Sequence, residues 1–174
     1  MSFDIQKLVR SHIVDLQPYS SARDEFDPVQ REVVYLDANE NPFDNGVNRY
    51  PDPQQRKLKE VITRHRGVTA NQLLLGNGSD EVLDLIFRAF CIPNQDRIIV
   101  MPPTYGMYNV LANINCISLD EVPLNDDFQI VTKDIIRQIS PQTKAIFLCS
   151  PNNPSGNSFR REDIIYLLQS FNRW

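Results

Sequence analysis

The sequence predicts an α/β fold with a largely parallel sheet. Two continuous apolar runs, at residues 97–101 and 144–149, are typical of strands that are covered on both faces. Amphipathic segments alternate with these runs along the chain, as in proteins built from successive strand and helix pairs. The 174 residues are 41% hydrophobic and 23% charged, which indicates a globular domain with a core of its own.

The first part of the chain predicts few regular elements. Residues 1–32 are polar, and we expect them to form an amino-terminal arm with a short helix before Pro18. Residues 33–174 are expected to form the main domain, which begins with a short strand at residues 33–36. The stretch from Asn39 to Pro53 is rich in Pro, Asn and Asp. It predicts a long structured loop, and such loops usually carry function.

The rest of the chain predicts alternating elements. Apolar residues spaced by three and four positions predict helices at residues 54–66, 82–90, 107–114, 133–139 and 160–171. Short apolar or alternating runs predict strands at residues 73–75, 97–101, 116–122 and 144–149.

Composition excludes several classes of protein. Lys and Arg number 18 against 22 Asp and Glu, so the net charge of −4 argues against a nucleic-acid partner. No apolar run reaches the roughly 18 residues that span a bilayer, and no export signal is visible. The three cysteines are far apart and predict reduced core residues of a cytoplasmic protein. With two histidines in the chain, no metal site is expected.

Three loops carry the candidate binding residues, because ligands of open α/β sheets bind beyond the carboxyl ends of the strands. The first loop, residues 76–80, places two glycines before a helix whose first N–H groups favour a phosphate. It matches neither a P-loop nor the dinucleotide-binding motif, because the required lysine and third glycine are missing. Capping of the helix by Ser79 or Asp80 is the alternative role, and on its own it is the more common one.

The other two loops each follow a predicted buried strand. Tyr105 comes after two prolines, where its ring is suited to contact a planar ligand, although a half-buried turn tyrosine is equally common. Two prolines also hold Asn153 at a strand end, where its amide can form hydrogen bonds; an Asx-type turn is the alternative. The joint placement of the three loops at successive strand ends favours one shared binding site.

Five stretches of the chain resemble the histidinol-phosphate aminotransferases, a group within the fold-type I pyridoxal-phosphate enzymes. They are residues 36–42 (LDANENP), 48–53 (NRYPDP), 75–81 (LGNGSDE), 103–108 (PTYGMY) and 149–156 (CSPNNPSG). The resemblance extends from about Pro18 to the end of the chain. It implies the α/β/α sandwich of the fold-type I large domain, with a mainly parallel sheet. Residues 33–174 would be the amino-terminal part of this cofactor-binding domain, in truncated form.

The resemblance also implies roles for residues near pyridoxal 5'-phosphate. The backbone amides of the loop Gly78, Ser79 and Asp80 would bind the cofactor phosphate. Tyr105 would stack on the pyridine ring, and Asn153 would donate a hydrogen bond to the phenolic oxygen of the cofactor.

The resemblance implies three further roles, and those of Tyr50 and Tyr19 rest on it alone. Tyr50 would reach the cofactor phosphate in the neighbouring subunit of a homodimer, and Tyr19 and Asn39 would lie near the substrate. The chain departs from the family pattern at Ser155, where threonine is more usual, and at residues 20–23, where many relatives have a Pro/Gly turn.

The implied reaction is transamination of L-histidinol phosphate with 2-oxoglutarate, a step of histidine biosynthesis in the cytoplasm. No catalytic residue is assigned, because none of the five lysines matches the family's Schiff-base lysine. We therefore expect this chain to be inactive alone and the full-length enzyme to be active. The alternatives are another fold-type I enzyme, such as a threonine-phosphate decarboxylase or a different aminotransferase, and a non-catalytic truncated homologue.

Overall fold

The computed structural model describes residues 4–20, Leu36 and residues 38–171. The chain divides into two compact units, one formed by Met1–Val14 with Gly76–Trp174 and the other by Asp15–Leu75. The strand predicted at residues 33–36 lies outside the described residues except for Leu36, which is exposed and not in a strand. The boundary between residues 32 and 33 also lies outside them, so the division into arm and main domain stays a prediction.

The larger unit contains a parallel sheet of three strands. They are β1 (Arg97–Val100), β2 (Ser118–Glu121) and β3 (Thr143–Ile146), in the order β2-β1-β3. In this register, Ile98 of β1 lies opposite Leu119 of β2 and Ala145 of β3. The predicted parallel α/β sheet is thus confirmed.

The described helices match the predicted ones. They are α1 (Ser11–Val14), α2 (Arg56–Arg66), α3 (Ser79–Phe90), α4 (Met107–Ile114), α5 (Thr132–Gln138) and α6 (Arg161–Phe171). Two short 3-10 helices, at Ile5–Lys7 and Ala70–Gln72, were not predicted. A left-handed Gly67 ends α2, as its position after the last apolar turn suggests.

The strand predicted at residues 73–75 is wrong. None of the described strands includes these residues, and Leu74 is exposed to solvent. Three consecutive leucines are too short a run to distinguish a sheet strand from an extended connection. The glycine-rich loop at residues 76–78 therefore follows an extended segment.

Side chains of β1 and of Met101, which follows it, alternate between two hydrophobic cores. Ile98 and Val100 lie in the core covered by α3 and α4, whereas Ile99 and Met101 lie in the core covered by α5 and α6. Each side chain is nearly inaccessible, and such burial stabilises the fold by about 1.5–3 kcal/mol per residue. Helices cover both faces of the sheet, which makes this unit an α/β/α sandwich.

The connections place two candidate loops at one edge of the sheet. β1 leads through α4 to β2, and β2 leads through α5 on the other face to β3. Because β2 and β3 flank β1 on opposite sides, right-handed crossovers require helices on opposite faces. The three strands are parallel, so the segments that follow β1 and β3 leave the sheet at the same edge.

The cysteines only partly follow the expectation of reduced core residues. All three are free, and Cys91 is buried while Cys149 is partly buried. Cys116 is exposed, because it lies in a left-handed turn directly after α4 and not in the following strand. The core assignment was wrong for this residue.

Candidate functional site

The amino terminus of α3 presents backbone donors beside an open glycine. Gly78, with φ 83° and ψ 171°, immediately precedes α3, and no side chain caps the helix. The cap that the sequence offered as an alternative for Ser79 or Asp80 is therefore not formed. The first N–H groups of a helix have no partner within it, so this turn can donate hydrogen bonds to an anion.

The glycine loop is tightened by Glu81. Its carboxylate accepts hydrogen bonds from the backbone N–H and the side-chain amide of Asn77. A Cβ atom at Gly76 would lie 2.9 Å from a Glu81 carboxylate oxygen and 3.0 Å from a Val82 methyl carbon, so a side chain there would displace the Glu81 carboxylate. A Cβ atom at Gly78 would meet nothing within 4 Å, which leaves space in front of the helix.

Tyr105 is held against this helix. Its hydroxyl donates a 2.9 Å hydrogen bond to the Asp80 carboxylate, and that bond raises the pKa of the Tyr105 phenol. The Tyr105 ring contacts the buried Tyr108 edge to face, with 5.7 Å between ring centroids. Tyr108 in turn stacks on Phe147 of the core at 5.0 Å, and burial raises its pKa to about 12. These contacts fix the orientation of the Tyr105 ring.

Asn153 lies in a loop that is tightly bonded internally. The Asn152 backbone donates to the Asn157 carbonyl and accepts from the Gly156 N–H, both at 2.7 Å. The Ser150 hydroxyl accepts a 3.1 Å hydrogen bond from the Phe159 N–H at the far end of the loop. Asn153 itself is exposed. An Asx-type turn, the alternative role for Asn153, would need a hydrogen bond from its side chain to the backbone. The described hydrogen bonds include none of this kind for Asn153.

Some of the candidate residues of the larger unit are in direct contact, and others are connected through a neighbouring residue. Asp80 and Tyr105 are in direct contact, and Ser79 lies next to Asp80. The loops of Tyr105 and Asn153 are joined by Asn152, which sequence reasoning passed over in favour of its neighbour. The two prolines indicated a rigid loop, but no pattern in the sequence told which of the two amides faces inward.

The remaining candidates belong to the smaller unit, and their proximity to the others stays a prediction. Tyr19 is 90% exposed, Tyr50 is 69% exposed, and Asn39 is also exposed. The long loop is structured, as predicted, around Glu40. The Glu40 carboxylate accepts a 2.8 Å hydrogen bond from Arg49 and a 2.9 Å bond from the Tyr50 N–H.

Other kinds of site are not visible in the described residues. They contain no group of three or more His, Cys, Asp or Glu side chains placed to hold a metal ion. The helices that the structure describes are too short or too polar to cross a membrane. Lys144 lies in the first half of β3, whereas the Asn153 loop follows the end of that strand.

The geometry fits a planar ligand that carries a phosphate. Unpaired helix N–H groups and the space beside Gly78 suit the phosphate, and a helix amino terminus favours its negative charge. A fixed aromatic ring at Tyr105 and an exposed amide at Asn153 suit a polar aromatic ring. Pyridoxal phosphate, which the sequence resemblance implied, has both parts.

Comparison with known proteins agrees with that chemistry. The family model for aminotransferase class I and II matches residues 30–173. Histidinol-phosphate aminotransferase of Christiangramia forsetii is 62% identical over 170 residues, covering 98% of this chain and 49% of the relative. The enzyme of the same name from Flavobacterium psychrophilum is 58% identical over 171 residues, with 98% and 49% covered. The chain thus spans about half the length of these curated relatives.

Solved structures share the fold. Histidinol-phosphate aminotransferase from Sinorhizobium meliloti, in complex with pyridoxal-5'-phosphate, aligns with a TM-score of 0.63 at 23% identity over 70% of this chain and 33% of that one. Thermus thermophilus aspartate aminotransferase with maleate aligns with a TM-score of 0.60 at 27% identity over 69% and 32%. The architecture is that of fold-type I aminotransferases. With the family model matching most of its length, the chain belongs to the aminotransferase class I and II family.

Proposed function

We propose that this chain supplies part of the cofactor site of a pyridoxal-phosphate-dependent aminotransferase that acts on L-histidinol phosphate and 2-oxoglutarate. The observation that carries the proposal is the 62% identity to a histidinol-phosphate aminotransferase over nearly the whole chain. The cofactor, when bound, supplies an electron sink and accepts the amino group. The residues of this chain bind and orient it.

The phosphate is proposed to bind at the amino terminus of α3. The N–H groups of Ser79 and Asp80 lie in the first turn of the helix, at the end that has no side-chain cap, and Gly78 leaves space in front of that end. Hydrogen bonds to a charged group contribute about 1.5–3 kcal/mol each. Two such bonds would therefore anchor the cofactor by its phosphate.

Tyr105 and Asn153 are proposed to orient the ring. The phenol of Tyr105 is bonded to Asp80, so its ring is fixed before the cofactor binds. Stacking on a fixed ring contributes about 0.5–1.5 kcal/mol beyond the burial of its surface. The exposed amide of Asn153 is available to donate a hydrogen bond to the phenolic oxygen of the cofactor.

The smaller unit is proposed to serve the substrate and a second subunit. Tyr50 and Tyr19 expose most of their surface and Asn39 is also exposed, so all three are available for contacts outside this chain. We propose a cytoplasmic homodimer in which Tyr50 of one subunit donates to the cofactor phosphate of the other. None of the lysines of this chain is proposed to bind the cofactor covalently.

The test of the proposed reaction compares amino donors, using a polypeptide that has the full length of the curated relatives. Formation of glutamate from 2-oxoglutarate is measured with L-histidinol phosphate and with other amino donors, and carbon dioxide release is measured with threonine phosphate. We expect kcat/KM to be highest for histidinol phosphate. Decarboxylation of threonine phosphate, or faster transfer from another donor, would assign the chain to a different enzyme of this fold.

A further inference from the structure

Asn152 is almost fully buried at the edge of the sheet where the two site loops leave it. Only 3% of its surface is exposed, which is unusual for an asparagine in a loop. A buried amide is stable only when its polar atoms are hydrogen-bonded. The partners of Asn152 therefore show what the residue holds in place.

The Asn152 side chain connects two separate loops. Its Nδ2 donates to the Pro103 carbonyl at 3.0 Å and to the Ser155 hydroxyl at 2.6 Å. Its Oδ1 accepts a 3.2 Å hydrogen bond from the Thr104 hydroxyl. Both amide hydrogens and the amide oxygen are thus used, and two of the three bonds cross from the β3 loop to the β1 loop.

The two residues proposed to orient the ring follow directly after two of the bonded residues. Thr104 directly precedes Tyr105, and Asn152 directly precedes Asn153. We propose that Asn152 is a positioning residue, which sets the stacking group and the hydrogen-bonding amide at a fixed separation through its bonds to Pro103 and Thr104. This inference rests on the proposed cofactor site, whose phosphate-binding part it does not involve.

The position of Asn152 predicts a selective effect. The Asn152 side chain forms no bond with residues 76–80, and Tyr105 contacts that loop through the Asp80 side chain and not through a backbone N–H. Loss of Asn152 should therefore weaken contacts to a ring and leave the contacts of the backbone N–H groups to a phosphate unchanged. A residue with a purely structural role would weaken both kinds of binding together, through unfolding. The ratio of the two affinities therefore separates positioning from stability.

Asn115 offers a matched control. Its Nδ2 also donates two hydrogen bonds, to the Asp84 carboxylate at 2.8 Å and to the Leu111 carbonyl at 2.9 Å. It ties the end of α4 to α3 and lies away from the two loops. Asn115→Ala thus removes a similar set of bonds without touching the site.

The experiment titrates this chain and its variants with pyridoxine 5'-phosphate and with inorganic phosphate. Pyridoxine phosphate has the ring and the phosphate but no aldehyde, so it cannot react with lysines. The readouts are the two dissociation constants, the circular dichroism induced in the ring absorption at saturation, and the melting temperature. For Asn152→Ala we expect about two- to tenfold weaker binding of pyridoxine phosphate, the loss of a stacking contribution. We also expect a reduced induced signal and unchanged binding of inorganic phosphate.

Several results would overturn the positioning role. One is an equal loss of affinity for pyridoxine phosphate and for inorganic phosphate in Asn152→Ala. Another is an unchanged induced circular dichroism in that variant. A third is the same loss of affinity for pyridoxine phosphate alone in Asn115→Ala. If Asn152→Ala does not fold, Thr104→Val removes one of the crossing bonds at nearly constant volume and is held to the same criteria. A wild-type chain that binds pyridoxine phosphate no better than inorganic phosphate would overturn the ring site itself along with this inference. Ring-specific binding in the wild type that survives Asn152→Ala would overturn the inference alone.

Discussion

Gly78→Ala should separate the role of the glycine loop in phosphate binding from its role in stability. The backbone of Gly78 lies at φ 83° and ψ 171°, a region that is almost restricted to glycine. A Cβ atom there meets nothing within 4 Å, so the substitution introduces backbone strain and no steric clash. The strain acts on the peptide group that leads into the N–H of Ser79.

The expected magnitude follows from that conformation. Occupation of this region by a residue other than glycine costs about 1–3 kcal/mol. For a chain of this size, each kcal/mol lowers the melting temperature by about 2–4 °C, so a decrease of roughly 2–12 °C is expected. Where the loop relaxes instead, a phosphate hydrogen bond is lost, which corresponds to about tenfold or more in affinity.

The assay compares pyridoxine phosphate with pyridoxine, which lacks the phosphate. Gly78→Ala should reduce the preference for the phosphorylated ligand. Gly67→Ala is the matched control, because Gly67 has φ 66° at the end of α2 and also open space around its Cβ position. Its left-handed conformation costs alanine about 1–2 kcal/mol. An unchanged preference in Gly78→Ala, or an equal loss in Gly67→Ala, would refute the reasoning.

Three further predictions concern a cysteine, an ion pair and a tyrosine. Burial raises the pKa of the Cys91 thiol to about 11, so iodoacetamide at neutral pH should label exposed Cys116 first and Cys91 last, with the difference abolished in urea. The Arg97 guanidinium in β1 donates a hydrogen bond to the Asp120 carboxylate in β2, and this bond lowers the pKa of Asp120. The stabilisation that the pair gives to the fold is therefore complete above about pH 4 and is lost as pH falls through the folded-state pKa. Urea midpoints of Asp120→Asn should depend less on pH in that range, whereas Asp134→Asn, which removes a surface ion pair, should behave like the wild type. Tyr50→Phe, at the full length of the relatives, should lower cofactor affinity about tenfold without changing the melting temperature, because its ring is exposed; unchanged affinity would argue against the shared site.

The sequence predicted the fold well because the apolar pattern carries it. β1 is buried on both faces, and its continuous run of Ile and Val is the pattern of such a strand. The residues facing the core were less well predicted in α3. The spacing by three and four positions that predicts a helix at residues 82–90 includes Leu85, which is 42% exposed, and leaves out Phe87, which is fully buried. Two overlapping apolar stripes satisfied the same spacing, and the packing against Phe147 decided between them.

The candidate site was predicted in its loops but not in its internal contacts. Glycines before a helix and prolines around an amide are local patterns, so the glycine loop at residues 76–80 and the Asn153 loop were visible in the sequence. The bond from Tyr105 to Asp80 and the bonds from Asn152 to the β1 loop join residues 25 to 49 positions apart. Such pairs depend on how the helices and strands pack against one another, which a single sequence does not specify.

The most direct test of the cofactor site is a backbone amide titration of this chain by heteronuclear NMR with pyridoxine 5'-phosphate. The proposed phosphate site predicts that the largest saturable shifts occur at the amides of Ser79 and Asp80, and that inorganic phosphate shifts the same amides with lower affinity. The amino terminus of α6, which begins at Arg161, is the internal comparison, because it is a second helix terminus in the same unit. Equal shifts at both termini, or none that saturate at Ser79 and Asp80, would contradict the proposed cofactor site.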